Sequence, residues 1–300
     1  MSSILQVEGG HPLRGEITVR GAKNFVPKAM VASLLADTPS ELYNVPLIRD
    51  TDVVSDLLSL HGVQIDFDQD RGTLRMDPSN VKIASRSDID TLAGASRIPI
   101  LFCGPLLHQL GEAFIPELGG CAIGGRPIDF HLETLRKFGA IVDKQPDGVH
   151  IKRPATGLHG AIIELPFPSV GATEQTLLTA VRNEGITTLK GAAIEPEILD
   201  LINVLQKMGA IISVDTDRTI RIEGVAKLNG YRHTALPDRI EAASWAAAAL
   251  ATHGDIYVRG AHQPDMTTFL NTFRKVGGAF NIDADGIRFY PPGEPLHSIA

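Results

Sequence analysis

The sequence predicts an α/β protein assembled from repeated βαβαββ units, and three observations carry that prediction. A helix closed by glycine and followed by a strand recurs four times, in LLSLHGVQIDF, LRKFGAIVDK, LQKMGAIISVD and FRKVGGAFNID. Its glycines, Gly62, Gly139, Gly209 and Gly277, are 77, 70 and 68 residues apart. Glycine suits such a position because the residue after a helix often takes a left-handed conformation that a Cβ resists. Between these marks, apolar residues run first at helical spacing and then in alternation. The composition, 43% hydrophobic and 21% charged with 29 Gly and 19 Pro, is that of a globular chain rich in turns and excludes disorder along most of its length. A near-constant period of this size marks repeats that cover one another's apolar helix faces, in threes or more. A plain α/β sandwich with coincidental spacing is the alternative.

The elements follow in order. In the first unit a helix from Ala22 runs through VPKAMVASLLA, then come the strand ELYNV, a helix from Asp52, and the strands VQIDF and TLRMD. The second has a helix over 98–110, EAFIPEL, a glycine-rich loop, a helix through Leu135, and the strands AIVDK and GVHIK. The third is the clearest: a strand over 161–165, a helix from Ser169 to Arg182, the strand ITTLKGAA, a helix over 195–208, then AIISVD and TIRIEGV around the polar turn 216–218. The fourth opens with the alanine-rich helix RIEAASWAAAALA and continues through IYVRGA, a helix through Phe273, AFNID and GIRFY. Residues 22–230 thus form a three-repeat domain. Residues 231–300 are the first repeat of a second domain, joined by the N-terminal segment 1–21 through a strand around 5–8.

Twenty-eight basic against 35 acidic residues leave a net charge of −7, which argues against nucleic acid or an anionic membrane as the main partner. It leaves room for a local basic pocket. Two cysteines, Cys103 and Cys121, make no disulfide framework, and the ten histidines include no compact pair at ligand spacing, so no metal is expected. Neither a secretory signal nor an apolar run of about 18 residues is present, and a cytoplasmic protein is the expectation. Walker and HExxH motifs are missing, and no GxGxxG stands between a strand and a helix.

The strongest chemical signal is GGCAIGGRPIDFH, residues 119–131, in which Cys121 sits among four glycines. Arg126 follows five residues later, and a helix starts near Pro127. A cation and a helix N-terminus both lower a thiol's pKa and favour a reactive thiolate. A free cysteine is otherwise a small buried hydrophobe, which suits Cys103 in its apolar helix. GAKNFVPKAM puts Lys23 and Asn24 at a helix start, where a lysine beside free N–H groups clamps an anion or stands solvated at the surface. In FPSVGATEQ, Ser169 is an N-cap and Gly171 permits close approach of a ligand. Arg49, Arg97 and Arg239 are further cations near helix starts, equally able to serve as ion-pair partners. These residues describe a site for an anionic, phosphorylated ligand with a cysteine in a loop.

Taken in order, GAKN, GGCAIGGRPIDFH, PSVGAT, EPEI and LPDRIE closely resemble the enolpyruvyl transferases over essentially the whole chain. The cysteine loop is similar to that of the branch that uses a nucleotide sugar, rather than the 5-enolpyruvylshikimate-3-phosphate synthase branch. The resemblance implies an inside-out α/β barrel of two domains, each of three βαβαββ units, with helices inside and sheets outside. It also implies transfer of an enolpyruvyl group from phosphoenolpyruvate to the 3-hydroxyl of UDP-N-acetylglucosamine, with release of phosphate and without a cofactor, as the opening step of peptidoglycan synthesis. In that scheme Cys121 is the proton donor to the enol carbon and the target of the epoxide antibiotic fosfomycin. Lys23 and Asn24 contact phosphoenolpyruvate and the nucleotide sugar, and Arg97 binds substrate. Arg126, Pro127, Ile128, Asp129 and Phe130 form the uridine pocket, and Ser169, Val170 and Gly171 the diphosphate-binding helix start.

The chain departs from the pattern in places. Phe167 stands where relatives often carry a lysine, Leu101 where an aromatic is usual, and Ile194 where many have an arginine. Six units would need about 420 residues. Four units, with no counterpart of the family's FPTD-like aspartate or its C-terminal arginines, predict a chain active only as part of a longer one. The alternatives are a short form that binds nucleotide sugar without catalysis, and a sister transferase with another acceptor. Oligomeric state is not legible.

Overall fold

The computed structural model describes residues 4, 6–93, 96–116, 118, 127–293 and 296–298. The chain divides into two compact units, Lys23–Leu236 and a smaller one formed by Met1–Ala22 with Pro237–Ala300. The first strand, β1 (Arg14–Thr18), belongs to the smaller unit.

The larger unit holds three repeats. The first comprises α1 (Val26–Ala32), which tightens into a 3₁₀ turn at Ser33–Leu35, then β2 (Ser40–Tyr43), α2 (Arg49–Leu60), β3 (Gln64–Asp68) and β4 (Thr73–Asp77). A short helix, α3 (Arg86–Ala93), leads to the second. There a 3₁₀ segment, Ile98–Phe102, precedes α4 (Cys103–Gln109), β5 (Glu112–Ile115), α5 (Asp129–Lys137), β6 (Ile141–Gln145) and β7 (Gly148–Lys152). The third runs β8 (Ile162–Glu164), α6 (Val170–Ala180), β9 (Ile186–Lys190), α7 (Pro196–Met208), β10 (Ile211–Val214) and β11 (Ile220–Glu223). A last strand, β12 (Arg232–Thr234), closes the unit.

Each repeat owns a sheet, in the orders β12-β2-β4-β3, β5-β7-β6 and β10-β11-β9-β8. The closing hairpin is antiparallel in all three, whereas the lead strands β8 and β12 run parallel to β9 and β2. A parallel neighbour needs a crossover, which α6 supplies between β8 and β9. For the first repeat the lead strand comes from far along the chain, with Arg232, His233 and Thr234 opposite Glu41, Leu42 and Tyr43.

Helices fill the centre of this unit and sheets cover it. All seven residues of α1 are buried, and so are nine of the eleven in α6. The outer faces of the strands are wet: β3 exposes Gln64, Asp66 and Asp68. Helix α6 is unusual for a buried helix because it carries threonines, a glutamine and a glutamate. Its hydroxyls are satisfied by the helix itself, Thr173 donating to Ser169 O at 2.8 Å, Thr176 to Ala172 O at 2.8 Å and Thr179 to Gln175 O at 2.7 Å.

The smaller unit is one repeat: α8 (Arg239–Ala251), β13 (Asp255–Arg259), α9 (Gln263–Val276), β14 (Ala279–Ile282) and β15 (Gly286–Tyr290). Its sheet, β1-β13-β15-β14, takes its parallel lead strand from the N-terminus, Arg14 to Thr18 lying opposite Asp255 to Arg259. The core gathers Ala242, Ala246 and Ala249 of α8 against Val258, Ile287, Phe273 and Phe289.

Three expectations are corrected. The strand that joins the fourth repeat is Arg14–Thr18, not the segment around 5–8. Helix α2 begins at Arg49, three residues before Asp52, on an extended Ile48. The expected single helix over 98–110 is a 3₁₀ segment followed by a short α-helix. Pro105 has no N–H to give Leu101, which removes one α-helical bond at that junction.

All four glycine marks do adopt positive φ: +84° at Gly62, +91° at Gly139 and +107° at Gly209 and Gly277. They differ in the room available. A Cβ on Gly209 would meet nothing within 4 Å, whereas one on Gly62 would lie 2.2 Å from Asn80 O. Gly209→Ala is therefore expected to cost about 1 kcal/mol through backbone strain alone. Gly62→Ala adds a backbone clash and should cost clearly more, as urea unfolding of the two variants would show.

Candidate functional site

Helix α6 has the best-formed N-terminus among the expected binding segments. Ser169 caps it in an extended conformation, its Oγ accepting from Ala172 N at 3.4 Å. With eleven residues the helix is long enough for its free N–H groups to favour an anion. Gly171, expected to allow close ligand approach, also makes room for a neighbouring side chain. A Cβ there would sit 2.8 Å from Nε2 of His131, so glycine lets the His131 ring pack against the helix start. His131 Nδ1 donates to Gln175 Oε1 at 3.4 Å, and burial drags the imidazole pKa down to about 4, which keeps it neutral at pH 7.

His131 belongs to α5, which carries the segment expected to hold a nucleoside. Pro127 and Ile128 lead into the helix, Asp129 is its first residue, and the acidic side chain there suits the helix dipole. Phe130 packs edge-on to Phe167 with ring centroids 5.3 Å apart. The departure at Phe167 is thus an aromatic contact between the lead-ins of α5 and α6. Cys121 and Arg126 lie outside the described residues. Cys103 is fully buried in α4, and burial pushes its thiol pKa up, so it stays a protonated apolar side chain.

On the other side stands the Lys23–Asn24 turn, two residues ahead of α1. Lys23 Nζ lies 3.3 Å from Asp50 Oδ2 in the first turn of α2. The second Asp50 oxygen accepts from Ser96 Oγ at 3.0 Å, and Ser96 Oγ accepts in turn from Ile98 N. Arg97, next in sequence, donates to Pro127 O at 3.4 Å. The contacts therefore run from Lys23 through Asp50, Ser96 and Arg97 to Pro127, on through α5 to Phe130, and by Phe167 to Ser169 and Gly171. Lys23, Arg97, the α5 lead-in and Ser169–Gly171 belong to this one region of the larger unit, whereas Arg49 opens α2 outside the contact path and Arg239 opens α8 in the smaller unit. A cleft of about 670 Å³ opens beside it, lined by Arg97, Pro127, Ile128, Lys144 and Asp147 among others.

Sequence reasoning missed the residues that connect the candidates. Asp50 and Ser96 bridge Lys23 to Arg97, and His131 with Gln175 ties α5 to α6. Asp50 is a first-turn acid like many others, so only the fold singles it out. His131 closes the cysteine-loop motif, and that position was a signal. Among the described residues no group of three or more His, Cys, Asp or Glu side chains is arranged to hold a metal, and no helix is long and apolar enough to cross a membrane.

Helix starts and cations from three α/β repeats make the chain a candidate for the class of anion-binding proteins. Comparison with known proteins narrows that class. The family model for EPSP synthase (3-phosphoshikimate 1-carboxyvinyltransferase) matches residues 7–297, and the chain belongs to this family. Among curated relatives, the UDP-N-acetylglucosamine 1-carboxyvinyltransferase of Protochlamydia amoebophila is 43% identical over 97% of this chain and 63% of its own length. That of Chlamydia pneumoniae is 41% identical over 96% and 62%, and the Staphylococcus aureus protein named UDP-N-acetylglucosamine 1-carboxyvinyltransferase 1 is 37% identical over 96% and 68%. The chain thus spans about two thirds of the length of these relatives. In fold, the enolpyruvyl transferase NikO from Streptomyces tendae superposes with a TM-score of 0.84 at 22% identity, covering 96% of this chain and 68% of its own. EPSP synthase from Acinetobacter baumannii gives 0.71 at 18%, covering 97% and 67%.

Proposed function

We propose that this chain carries the nucleotide-sugar side of an enolpyruvyl transferase that moves the enolpyruvyl group of phosphoenolpyruvate to the 3-hydroxyl of UDP-N-acetylglucosamine, opening peptidoglycan synthesis in the cytoplasm. The observation that carries the reading is the contact path from Lys23 to Gly171, which gathers Lys23, Arg97, the α5 lead-in and the capped start of α6 into one region. The names of relatives at about 40% identity support the choice of acceptor.

In this reading Arg126, Pro127, Ile128, Asp129 and Phe130 hold the uridine, with the cleft beside Arg97 to receive it. The free N–H groups at Val170 and Gly171, with the Ser169 cap, take the diphosphate. Lys23, Asn24 and Arg97 bind phosphoenolpyruvate and the sugar, offsetting their negative charges in ground and transition states. The sugar 3-hydroxyl adds to C2 of phosphoenolpyruvate and releases its own proton to solvent, while a proton from Cys121 goes to C3, giving a tetrahedral ketal and a Cys121 thiolate. Loss of phosphate from C2 and of a proton from C3 then restores the double bond in the product.

The test is phosphate release from phosphoenolpyruvate by the full-length gene product with alternative acceptors. Release that requires UDP-N-acetylglucosamine is expected. Release with shikimate 3-phosphate in its place would assign the chain to the sister reaction. UDP-N-acetylglucosamine binding with no release would make it a non-catalytic binder.

A further inference from the structure

The interior of the larger unit contains an ion pair that the proposed chemistry does not use. Lys28, in the middle of α1, is 7% exposed, and Glu174, in the second turn of α6, is 4% exposed. Lys28 Nζ lies 3.5 Å from Glu174 Oε1 and donates to Asn24 O at 2.8 Å. We propose that this pair is a positioning device: it holds the Lys23–Asn24 turn in register with the start of α6 and so sets the distance between the two ends of the ligand site. The inference rests on the reading that Lys23–Asn24 and Ser169–Gly171 engage one ligand.

The backbone shows why such a device is needed. In a helix already formed at Asn24, the Asn24 carbonyl would accept from the backbone N–H of Lys28. That N–H donates instead to Phe25 O at 2.9 Å, and the regular helical ladder starts only with Ala29 N to Phe25 O at 3.1 Å. Helix α1 therefore does not hold the Asn24 peptide, and the Lys28 side chain does so in its place. The same ammonium is bound to a helix whose N-terminal turn is itself fastened: Thr173, the neighbour of Glu174, donates to Ser169 O and accepts from Ala193 N at 3.0 Å. One side chain thus spans from the Asn24 peptide to the turn beneath the Ser169 cap.

Stability alone does not account for the pair. Burying two charges costs as much as their attraction returns, and an apolar pair of equal volume would hold the core as well. The surroundings make a lone carboxylate worse placed still, because Glu195 and Glu197 at the start of α7 add like charge near Glu174. What the apolar pair would lack is a donor for Asn24 O and a fixed length between the two elements. A displacement of about 1 Å at a ligand site is enough to lose a large part of binding or turnover.

The experiment compares the wild type, Lys28→Met and the double variant Lys28→Met with Glu174→Gln, all as the full chain. UDP-N-acetylglucosamine affinity is read by calorimetry, folding by urea unfolding, and the Lys23–Phe25 amides by hydrogen exchange. The double variant removes the stranded carboxylate and should recover most of the unfolding midpoint lost by Lys28→Met. The proposal expects its affinity to stay weaker than wild type by roughly tenfold, with faster exchange at Lys23–Phe25. Recovery of affinity and exchange together with stability would overturn it, since the pair would then serve packing only. If the wild type does not bind UDP-N-acetylglucosamine, the reading of the ligand fails by itself. Exchange at Lys23–Phe25 then decides on the pair: faster in the double variant supports it, unchanged overturns it.

Discussion

Cys121→Ala in the full-length protein is expected to cut turnover by about 10²–10⁴-fold, the range for loss of a positioned proton donor. Affinity for UDP-N-acetylglucosamine should change little, because the residues proposed for the uridine and diphosphate, 126–130 and 169–171, do not include Cys121. That split, kcat lost with binding kept, marks a group acting in the transition state. The sequence suits this role: a cation five residues on and a helix start shortly after are features of the kind that lower a thiol's pKa. On the proposed reading Cys121 is also the nucleophile toward fosfomycin, whose epoxide would open with formation of a C–S bond and protonation of the released alkoxide. Time-dependent inactivation should vanish with the substitution. Cys103 offers no second target, being fully buried with its thiol pKa raised. Unchanged turnover and unchanged inactivation in Cys121→Ala would remove the cysteine from the mechanism.

The repeat was legible because its mark is local. A positive φ at Gly62, Gly139, Gly209 and Gly277 depends only on the helix before and the strand after each, and the sequence states both. The lead strands of the first and fourth repeats were legible only in part. The fourth was expected to draw on the N-terminus, but at the wrong residues, and β12 was not foreseen. A three-residue strand such as Arg232–Thr234 has too few positions to show alternation, and its parallel pairing with Ser40–Tyr43 is set by the folded unit rather than by neighbours in sequence. The second repeat's opening helix was read as continuous because its apolar spacing is helical, while Pro99 and Pro105 shape it into two pieces.

At the site, motif residues were legible and their supports were not. Ser169 announces a cap by its place before an apolar helix, and the cap bond is there. Asp50 and Ser96 carry no such mark, since their importance is a bridge of 3.0–3.3 Å between segments far apart in the chain. Gly171 was read for ligand approach, and the structure adds a neighbour, His131, that no spacing could reveal. Lys28 and Glu174 were hidden for a further reason. A lysine on a helix reads as solvated, and only the burial of all seven residues of α1 shows that this one is not.

Lys28→Met is expected to destabilise the protein by roughly 2–4 kcal/mol at pH 8, the cost of the unmet Asn24 carbonyl plus about one further pH unit of carboxyl titration. The dependence on pH gives the assignment its sharpest check. Desolvation pushes the Glu174 carboxyl up to about 7 from the usual 4.5, against the pull of Lys28 and with the help of Glu195 and Glu197. A raised carboxyl pKa means that the folded state holds a proton the unfolded chain has released. Glu174 therefore contributes stability below pH 4.5 that is lost as pH rises through 7, a change of about 3 kcal/mol for that span at 1.36 kcal/mol per unit. Glu174→Gln should flatten this part of the wild-type profile. In Lys28→Met the favourable ammonium is gone, the carboxyl pKa climbs further, and the decline continues above pH 7. At pH 4 the carboxyl is neutral with or without Lys28. The penalty there should shrink to roughly 1–3 kcal/mol, the cost of the unmet Asn24 carbonyl, because the charge itself is gone. Urea unfolding of wild type and Lys28→Met at pH 4 and pH 8 measures both numbers. A penalty equal at the two pH values would mean that Glu174 is not the charge Lys28 serves, whereas a penalty that grows with pH places the electrostatic work of the pair on that carboxylate.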